Sequence, residues 1–100
     1  MPQLDLREVD IERLRAVFRR FPEARRVLVF GSRATGTAKR ASDLDLAVEA
    51  PGMSDRAWSD FHAALDEAPV ILELDVVRFD TLPPGPLAEA VRRDGIPIYP

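Results

Sequence analysis

Three aspartates and a Gly-Ser pair are the residues of this chain whose types and spacing suggest chemistry. Asp43 and Asp45 flank one leucine in the apolar stretch "DLDLAVE", and Gly31-Ser32 follows the apolar run "RRVLVF". Ionised carboxylates in apolar surroundings repel each other and lose hydration, so the pair lowers stability unless a cation or hydrogen bonds compensate. The spacing therefore raises the question of a bound cation or polar ligand.

The first candidate is the pair Asp43 and Asp45. Side chains two residues apart on a strand share a face, so these carboxylates point the same way and start about 6–7 Å apart. Two carboxylates so placed suit hard divalent cations, Mg²⁺ in particular, because Mg²⁺ prefers oxygen ligands. A half-exposed strand with a solvated polar face gives the same pattern, and the pair alone leaves both interpretations open.

Asp75 is the third carboxylate of interest. It lies in a second apolar run, "PVILELDVVRF", where an aspartate is unfavourable both for burial and for strand formation. If the two strands are neighbours, Asp75 faces Asp43 and Asp45, and three carboxylates at one spot fit a two-metal site that aligns an attacking oxygen with a phosphate. Glu73 shares this face and is a weaker candidate ligand. The alternative is that Asp75 only forms a turn at a strand end.

The Gly-Ser pair is a candidate phosphate-holding turn. A glycine after a strand permits a sharp turn and lets a phosphate approach main-chain N–H groups, and the Ser32 hydroxyl adds a donor. Arg33 can neutralise phosphate charge through two parallel hydrogen bonds, or it can be a surface arginine at the start of a short helix. Lys39 and Arg40, farther along the loop, are predicted to be solvated charges.

The apolar periodicity predicts alternating helices and strands that would position these residues. In chain order, the predicted elements are a helix over Arg7–Arg20, strands over Arg25–Phe30 and Asp43–Glu49, a helix from the N-cap Ser54 to Glu67, a strand over Pro69–Phe79, a helix over Pro86–Arg93 and a short edge strand over Ile96–Tyr99. Gly95 follows the last helix, as helix C-termini prefer. This order predicts an α/β (α+β) fold with helices packed on a small sheet.

Length and composition narrow the class of protein. One hundred residues predict a single domain over 1–100. No apolar run reaches the roughly 18 residues of a membrane span and no signal-peptide pattern opens the chain, so we expect a cytoplasmic protein with no membrane partner. The chain has no cysteine, which excludes disulfides and thiolate metal sites. A net charge of −3 argues against extended nucleic-acid binding but allows a single nucleotide.

These motifs together resemble a known family. "GS" at Gly31, ten further residues and "DLD" at Asp43 resemble the signature of polymerase-beta-like nucleotidyltransferases, and more narrowly of minimal nucleotidyltransferase (MNT) domains. The resemblance covers essentially the whole chain, including Asp75 and the closing "GIPIY". It implies a small mixed sheet of the polymerase-beta palm type.

The resemblance also implies roles for the candidate residues. Gly31 and Ser32 would hold the β- and γ-phosphates of a nucleoside triphosphate, preferably ATP, with Arg33 beside them. The family often has a second arginine two positions later, where this chain has Thr35, which leaves less positive charge near the phosphates.

The carboxylates have implied roles as well. Asp43 and Asp45 would bind Mg²⁺, and Asp75 would complete a site for two ions and help to activate the acceptor hydroxyl. A nucleoside monophosphate would then be transferred and pyrophosphate released, a reaction that depends on positioning and charge neutralisation.

The acceptor is expected to be recognised with the help of another chain, because 100 residues leave no room for a second domain. The resemblance implies a helical HEPN-type ribonuclease toxin as partner, neutralised by transfer of AMP to one of its tyrosines. A non-catalytic module that masks its partner sterically, and an enzyme that modifies a small molecule in a groove formed by a homo-oligomer, are the alternatives.

Overall fold

A computed structural model describes residues 4–37 and 43–100, so Lys39 and Arg40 lie outside the described residues. The described part of the chain forms, in order, α1 (Glu8–Phe18), β1 (Arg26–Phe30), α2 (Ser32–Thr35), β2 (Leu44–Glu49), α3 (Asp55–Asp66), β3 (Leu74–Arg78), a 3-10 turn (Phe79–Thr81), α4 (Pro86–Asp94) and β4 (Ile96–Tyr99). Within these residues, no helix has the length and apolar character needed to cross a membrane.

The four strands of the described residues form one mixed sheet in the order β3-β2-β1-β4. β1 is antiparallel to both β2 and β4, whereas β2 and β3 are parallel. Parallel neighbours need a long crossover connection, and α3 lies in that connection. β4 lies at the edge, as predicted. The predicted fold class, a small mixed sheet with helices packed on it, is confirmed.

The two faces of the sheet are covered unequally. Leu44, Leu46 and Val48 of β2 belong to the main core with residues of α1 and α3, where the rings of Phe18 and Phe61 lie 6.1 Å apart. A smaller cluster on the other face joins Leu28, Phe30 and Ala47 to Val91 of α4. The predicted alternation along β2 is therefore confirmed. Since alternate residues share a face, Asp45 lies on the side of α4, outside the main core.

The predicted strand over Pro69–Phe79 is too long, because β3 covers only Leu74–Arg78. A strand needs a hydrogen-bonded neighbour, and the β2 ladder begins where Leu44 pairs with Leu74. The bond from Leu44 N–H to the carbonyl of Glu73 is 2.9 Å long. Before it the chain turns instead, and Ile71, which was assigned to the strand, is 86% exposed.

Two helix ends illustrate local sequence effects. The predicted N-cap of α3 is confirmed, because the Ser54 hydroxyl accepts a hydrogen bond from the N–H of Ala57 at 3.1 Å. Gly95 does follow α4, but its φ is −62°, outside the left-handed region that the usual glycine preference serves. A Cβ atom there would overlap the carbonyl oxygen of Val91, so close packing is the reason for this glycine.

Candidate nucleotide and metal site

Asp45 and Asp75 occupy directly paired positions on β2 and β3. Paired residues on neighbouring parallel strands point to the same face, and the strands lie about 4.8 Å apart. The strands are thus neighbours, which was the condition for Asp75 to face the Asp-x-Asp pair. Asp75 is the second residue of β3, so the alternative of a turn former at a strand end is wrong.

The charges of Asp43 and Asp75 act on the Asp45 carboxyl. Asp43 is exposed and directly precedes β2, whereas Asp45 is half-buried. Burial raises the pKa of the Asp45 carboxyl, and the negative charges of Asp75 and Asp43 raise this pKa further. The chain therefore places a carboxylate where its ionised form is disfavoured, as a cation-binding site does before the cation arrives.

Gly31 brings the Gly-Ser turn against the Asp45 carboxylate. The pairing of Phe30 with Asp45 sets the end of β1 beside the start of β2. Gly31 then adopts φ 73° and ψ −153°, a backbone conformation that side-chain-bearing residues avoid. A Cβ atom on Gly31 would overlap Oδ2 of Asp45 and lie 3.2 Å from its Cγ. The candidate phosphate turn and the candidate metal strand therefore meet at these two residues.

The residues after Gly31 form the short helix α2. Ser32 is half-buried at its start, and Gly36 ends it with φ 79°. Thr35, which stands where the family often has an arginine, makes local contacts: its hydroxyl lies 2.8 Å from the hydroxyl of Thr37 and 3.4 Å from the carbonyl oxygens of Gly31 and Ser32. Thr35 thus supports the turn and adds no charge.

Arg33 lies in the interior, so the alternative of a surface arginine is wrong. The residue is 7% exposed, and its Nη1 atom donates to the main-chain carbonyl of Asp5 at 3.1 Å. The main-chain N–H of Asp5 donates in turn to the carbonyl of Arg33 at 2.8 Å. Sequence reasoning missed Asp5, because no local pattern signals a contact that spans 28 residues of chain.

The candidate metal ligands are all carboxylates. Within residues 4–37 and 43–100, no three or more His, Asp or Glu side chains are gathered closely enough to hold a metal ion, so the expected gathering of Asp43, Asp45 and Asp75 at one spot is not found. The candidate carboxylates offer only oxygen atoms, as Mg²⁺ prefers. Burial raises the pKa of Asp45 most, and the negative charges of Asp75 and Asp43 raise it further, a contribution that a cation would offset. The ligand types therefore fit such an ion.

Comparisons with known proteins agree with this geometry. The family described as "Polymerase beta, Nucleotidyltransferase" matches residues 12–100. No curated protein gives a significant match.

Among solved structures, a toxin–antitoxin with AMP-PNP is similar at 24% identity and a TM-score of 0.66, over 90% of this chain and 73% of that one. The MntA–HepT toxin–antitoxin is similar at 19% identity and a TM-score of 0.62, over 93% and 72% of the two chains. A mutant described as MntA–HpeT gives 20% identity and a TM-score of 0.64 over 89% and 71%. At these identities the likeness establishes the fold.

Proposed function

Because the chain belongs to the polymerase beta nucleotidyltransferase family, we propose that it transfers AMP from ATP to a hydroxyl group of a protein acceptor. The observation that carries this proposal is the meeting of Asp45 with Asp75 on one side and with Gly31 on the other. Paired carboxylates beside a turn that a phosphate can approach are what nucleotidyl transfer requires, since the reaction depends on positioning and charge neutralisation.

The phosphates of ATP would lie along the Gly-Ser turn. Without a side chain, Gly31 permits close approach to main-chain N–H groups, and the Ser32 hydroxyl supplies a further donor for the β- and γ-phosphates. Arg33, directly next in the chain, contributes positive charge at the start of α2. The absence of an arginine at Thr35 leaves the turn dependent on fewer cationic groups.

The carboxylates would hold the metal. Asp43 and Asp45 would supply oxygen ligands to one Mg²⁺ ion, and Asp75 would complete a second position. When bound, the ions would neutralise the charge on the triphosphate and on the departing pyrophosphate. They would also offset the negative charges of Asp75 and Asp43, which add to the effect of burial in raising the pKa of Asp45.

The transfer would form one bond to phosphorus and break another. The acceptor oxygen attacks the α-phosphorus, and the bond between that phosphorus and the α,β-bridging oxygen breaks. Pyrophosphate leaves, and Asp75 helps to remove the proton from the attacking hydroxyl. The products are a phosphodiester of AMP with the acceptor, and pyrophosphate.

The acceptor we propose is a tyrosine of a helical HEPN-type toxin, which makes this chain an antitoxin that acts by AMP transfer in the cytoplasm. Two similar structures are described as toxin–antitoxin complexes named MntA–HepT or MntA–HpeT, and another contains AMP-PNP, an analogue of ATP. These descriptions support both the class of partner and the choice of nucleotide.

The test is a transfer assay with a helical protein encoded beside this one. ATP labelled at the α-phosphate, with Mg²⁺, should label the partner, whereas ATP labelled at the γ-phosphate should not, because nucleotidyl transfer retains only the α-phosphate. Mass spectrometry should locate one AMP group on a tyrosine. Tight binding of the partner without label would instead support a steric antitoxin. Label on a small hydroxylated molecule alone would support a small-molecule enzyme.

A further inference from the structure

The N-terminal strap, which we define as residues 4–7, is hydrogen-bonded to α2. The N–H of Asp5 donates to the carbonyl of Arg33 at 2.8 Å, and Nη1 of Arg33 donates to the carbonyl of Asp5 at 3.1 Å. The Asp5 carboxylate is a minor partner, since its Oδ2 lies 3.9 Å from the same nitrogen and its side chain is 56% exposed. The main chain of Asp5 therefore carries the contact.

The strap is anchored at its other end as well. Arg7 Nε donates to Oδ2 of Asp10 at 2.9 Å, and Asp10 is 3% exposed in the first turn of α1. Leu4 and Leu6 pack against the main core. Because the strap is held at both ends, it has little freedom to move. Its hydrogen bonds to Arg33 therefore help to fix the position of α2.

Its target, α2, depends on tertiary contacts for its position, and Ala34 of this helix packs in the main core. The helix has four residues, and helices much shorter than about 12 residues are marginal in water without tertiary contacts. Beside the strap lies a cleft of about 480 Å³, lined by Ile71 and Leu72 together with Asp5 and Arg33. Close packing around α2 is therefore incomplete on the side of the cleft. On that side, the hydrogen bonds between Asp5 and Arg33 contribute more to holding α2 than packing does.

We infer that the N-terminal strap positions the phosphate-holding turn, with Asp5 as a positioning residue that acts through the buried Arg33. Arg33 directly follows Ser32, so a displacement of α2 displaces the Ser32 hydroxyl and the N–H groups next to Gly31. The role of the strap in phosphate binding rests on the proposed function. The positioning of α2 by the hydrogen bonds between Asp5 and Arg33 is independent of that function.

The sharpest test uses two substitutions at one position. Asp5→Pro removes the N–H that donates to Arg33, whereas Asp5→Ala keeps it and removes only the exposed carboxylate. We expect Asp5→Pro to raise the Kd for ATP with Mg²⁺, measured by calorimetry, about tenfold, as the loss of one hydrogen bond predicts. Asp5→Ala should change this Kd by less than about twofold, because exposed ion pairs contribute little.

A double-mutant cycle separates positioning from independent binding. Arg33→Ala removes the Nη1 donor to the Asp5 carbonyl but keeps the main-chain carbonyl that accepts from the Asp5 N–H, so each substitution removes one of the two bonds that join the strap to α2. If the two bonds hold the strap on α2 together, the combined loss of ATP affinity should be smaller than the sum of the two single losses. Additive losses of affinity would overturn the inference, and so would an unchanged Kd in Asp5→Pro. If transfer is observed, KM for ATP should rise more than kcat falls.

Hydrogen exchange tests the strap without relying on nucleotide. The N–H groups of Ala34 and Thr35, which both donate to the carbonyl of Gly31, should lose protection in Asp5→Pro while those of β1 keep it. Unchanged protection of the α2 N–H groups in Asp5→Pro would overturn the inference, whether or not the wild type binds ATP. A wild type that fails to bind ATP would refute the proposed function separately.

In the wild type, bound ATP should increase protection of the Asp5 N–H by reciprocal coupling. This measurement still applies if the proline variant does not fold. An Asp5 N–H whose protection ATP leaves unchanged would count against the strap.

Discussion

The Asp45 carboxylate occupies the space where a side chain on residue 31 would lie, because a Cβ atom on Gly31 would overlap Oδ2 of Asp45. We therefore expect Gly31→Ala to displace the carboxylate and to lower AMP transfer by about a hundredfold or more, a loss typical of a displaced charge-stabilising group. The backbone conformation of Gly31, φ 73° and ψ −153°, adds a cost of about 1–3 kcal/mol in unfolding free energy for a residue with a side chain. Transfer assays and denaturant unfolding measure the two effects.

Gly52→Ala is the matched control for that variant. Gly52 also has a positive φ, 88°, but nothing lies within 4 Å of a Cβ atom placed there. It should lose similar stability while keeping transfer activity. Equal losses of activity in the two variants would show that strain alone explains Gly31→Ala.

Removing either paired carboxylate should abolish transfer without unfolding the protein. Asp45→Asn and Asp75→Asn keep the size of the side chain and remove one charge from the paired positions of β2 and β3. We expect at least about a hundredfold loss of transfer in each. Asp60→Asn, on the exposed side of α3, is the control and should retain full activity. Residual transfer above about one tenth in Asp75→Asn would remove Asp75 from the mechanism.

The free energy of unfolding should fall as pH rises through the range in which Asp45 ionises. Burial and the charges of Asp75 and Asp43 raise its pKa in the folded state above the ordinary aspartate value of 3.8, so the folded protein holds this proton more tightly than the unfolded chain does. The resulting stabilisation is complete below pH 3.8 and is lost as pH rises through the folded pKa. Asp45→Asn should therefore be more stable than the wild type at pH 7 without Mg²⁺, and the stability difference should shrink in acid. Thermal unfolding across that range measures it, and a less stable Asp45→Asn at pH 7 would contradict the raised pKa.

Mg²⁺ should raise the melting temperature of the wild type, because an ion that binds only the folded state stabilises it by mass action. EDTA should reverse the shift. Asp45→Asn should respond less to Mg²⁺, since one of the carboxylates that we assign to the ion is gone. Equal shifts in both proteins would place the ion elsewhere.

Arg78 is expected to be the main polar support of the loop between β2 and α3. Its Nη2 atom donates to the carbonyls of Ala50 and Met53, both at 2.8 Å, and its guanidinium carbon lies 5.6 Å from the ring centre of Trp58. Arg78→Lys should lower the unfolding free energy by about 1–3 kcal/mol, because lysine cannot reproduce the planar, branched donor set. Arg56→Ala, at an exposed position of α3, should change stability by less than about 0.5 kcal/mol. Similar losses in the two variants would refute this role.

The sequence-based predictions and the structure agree best for features that depend on interactions between residues close in the chain. Alternation placed Leu44 and Leu46 in the core with Asp45 on the opposite face, and the Ser54 N-cap was predicted to the residue. They disagree where the bounds of an element depend on a neighbouring strand. β3 begins only at Leu74, because β2 offers a hydrogen-bonding partner from that residue onward.

The sequence by itself determined the class of fold, the residues that could do chemistry and the face of β2 on which Asp45 lies, because side-chain period and turn chemistry are local. Only the tertiary structure decided that Asp75 pairs with Asp45, since that depends on which strands become neighbours. It also decided that Arg33 is buried against Asp5. Contacts between distant segments arise from packing the whole chain, and no local pattern encodes them.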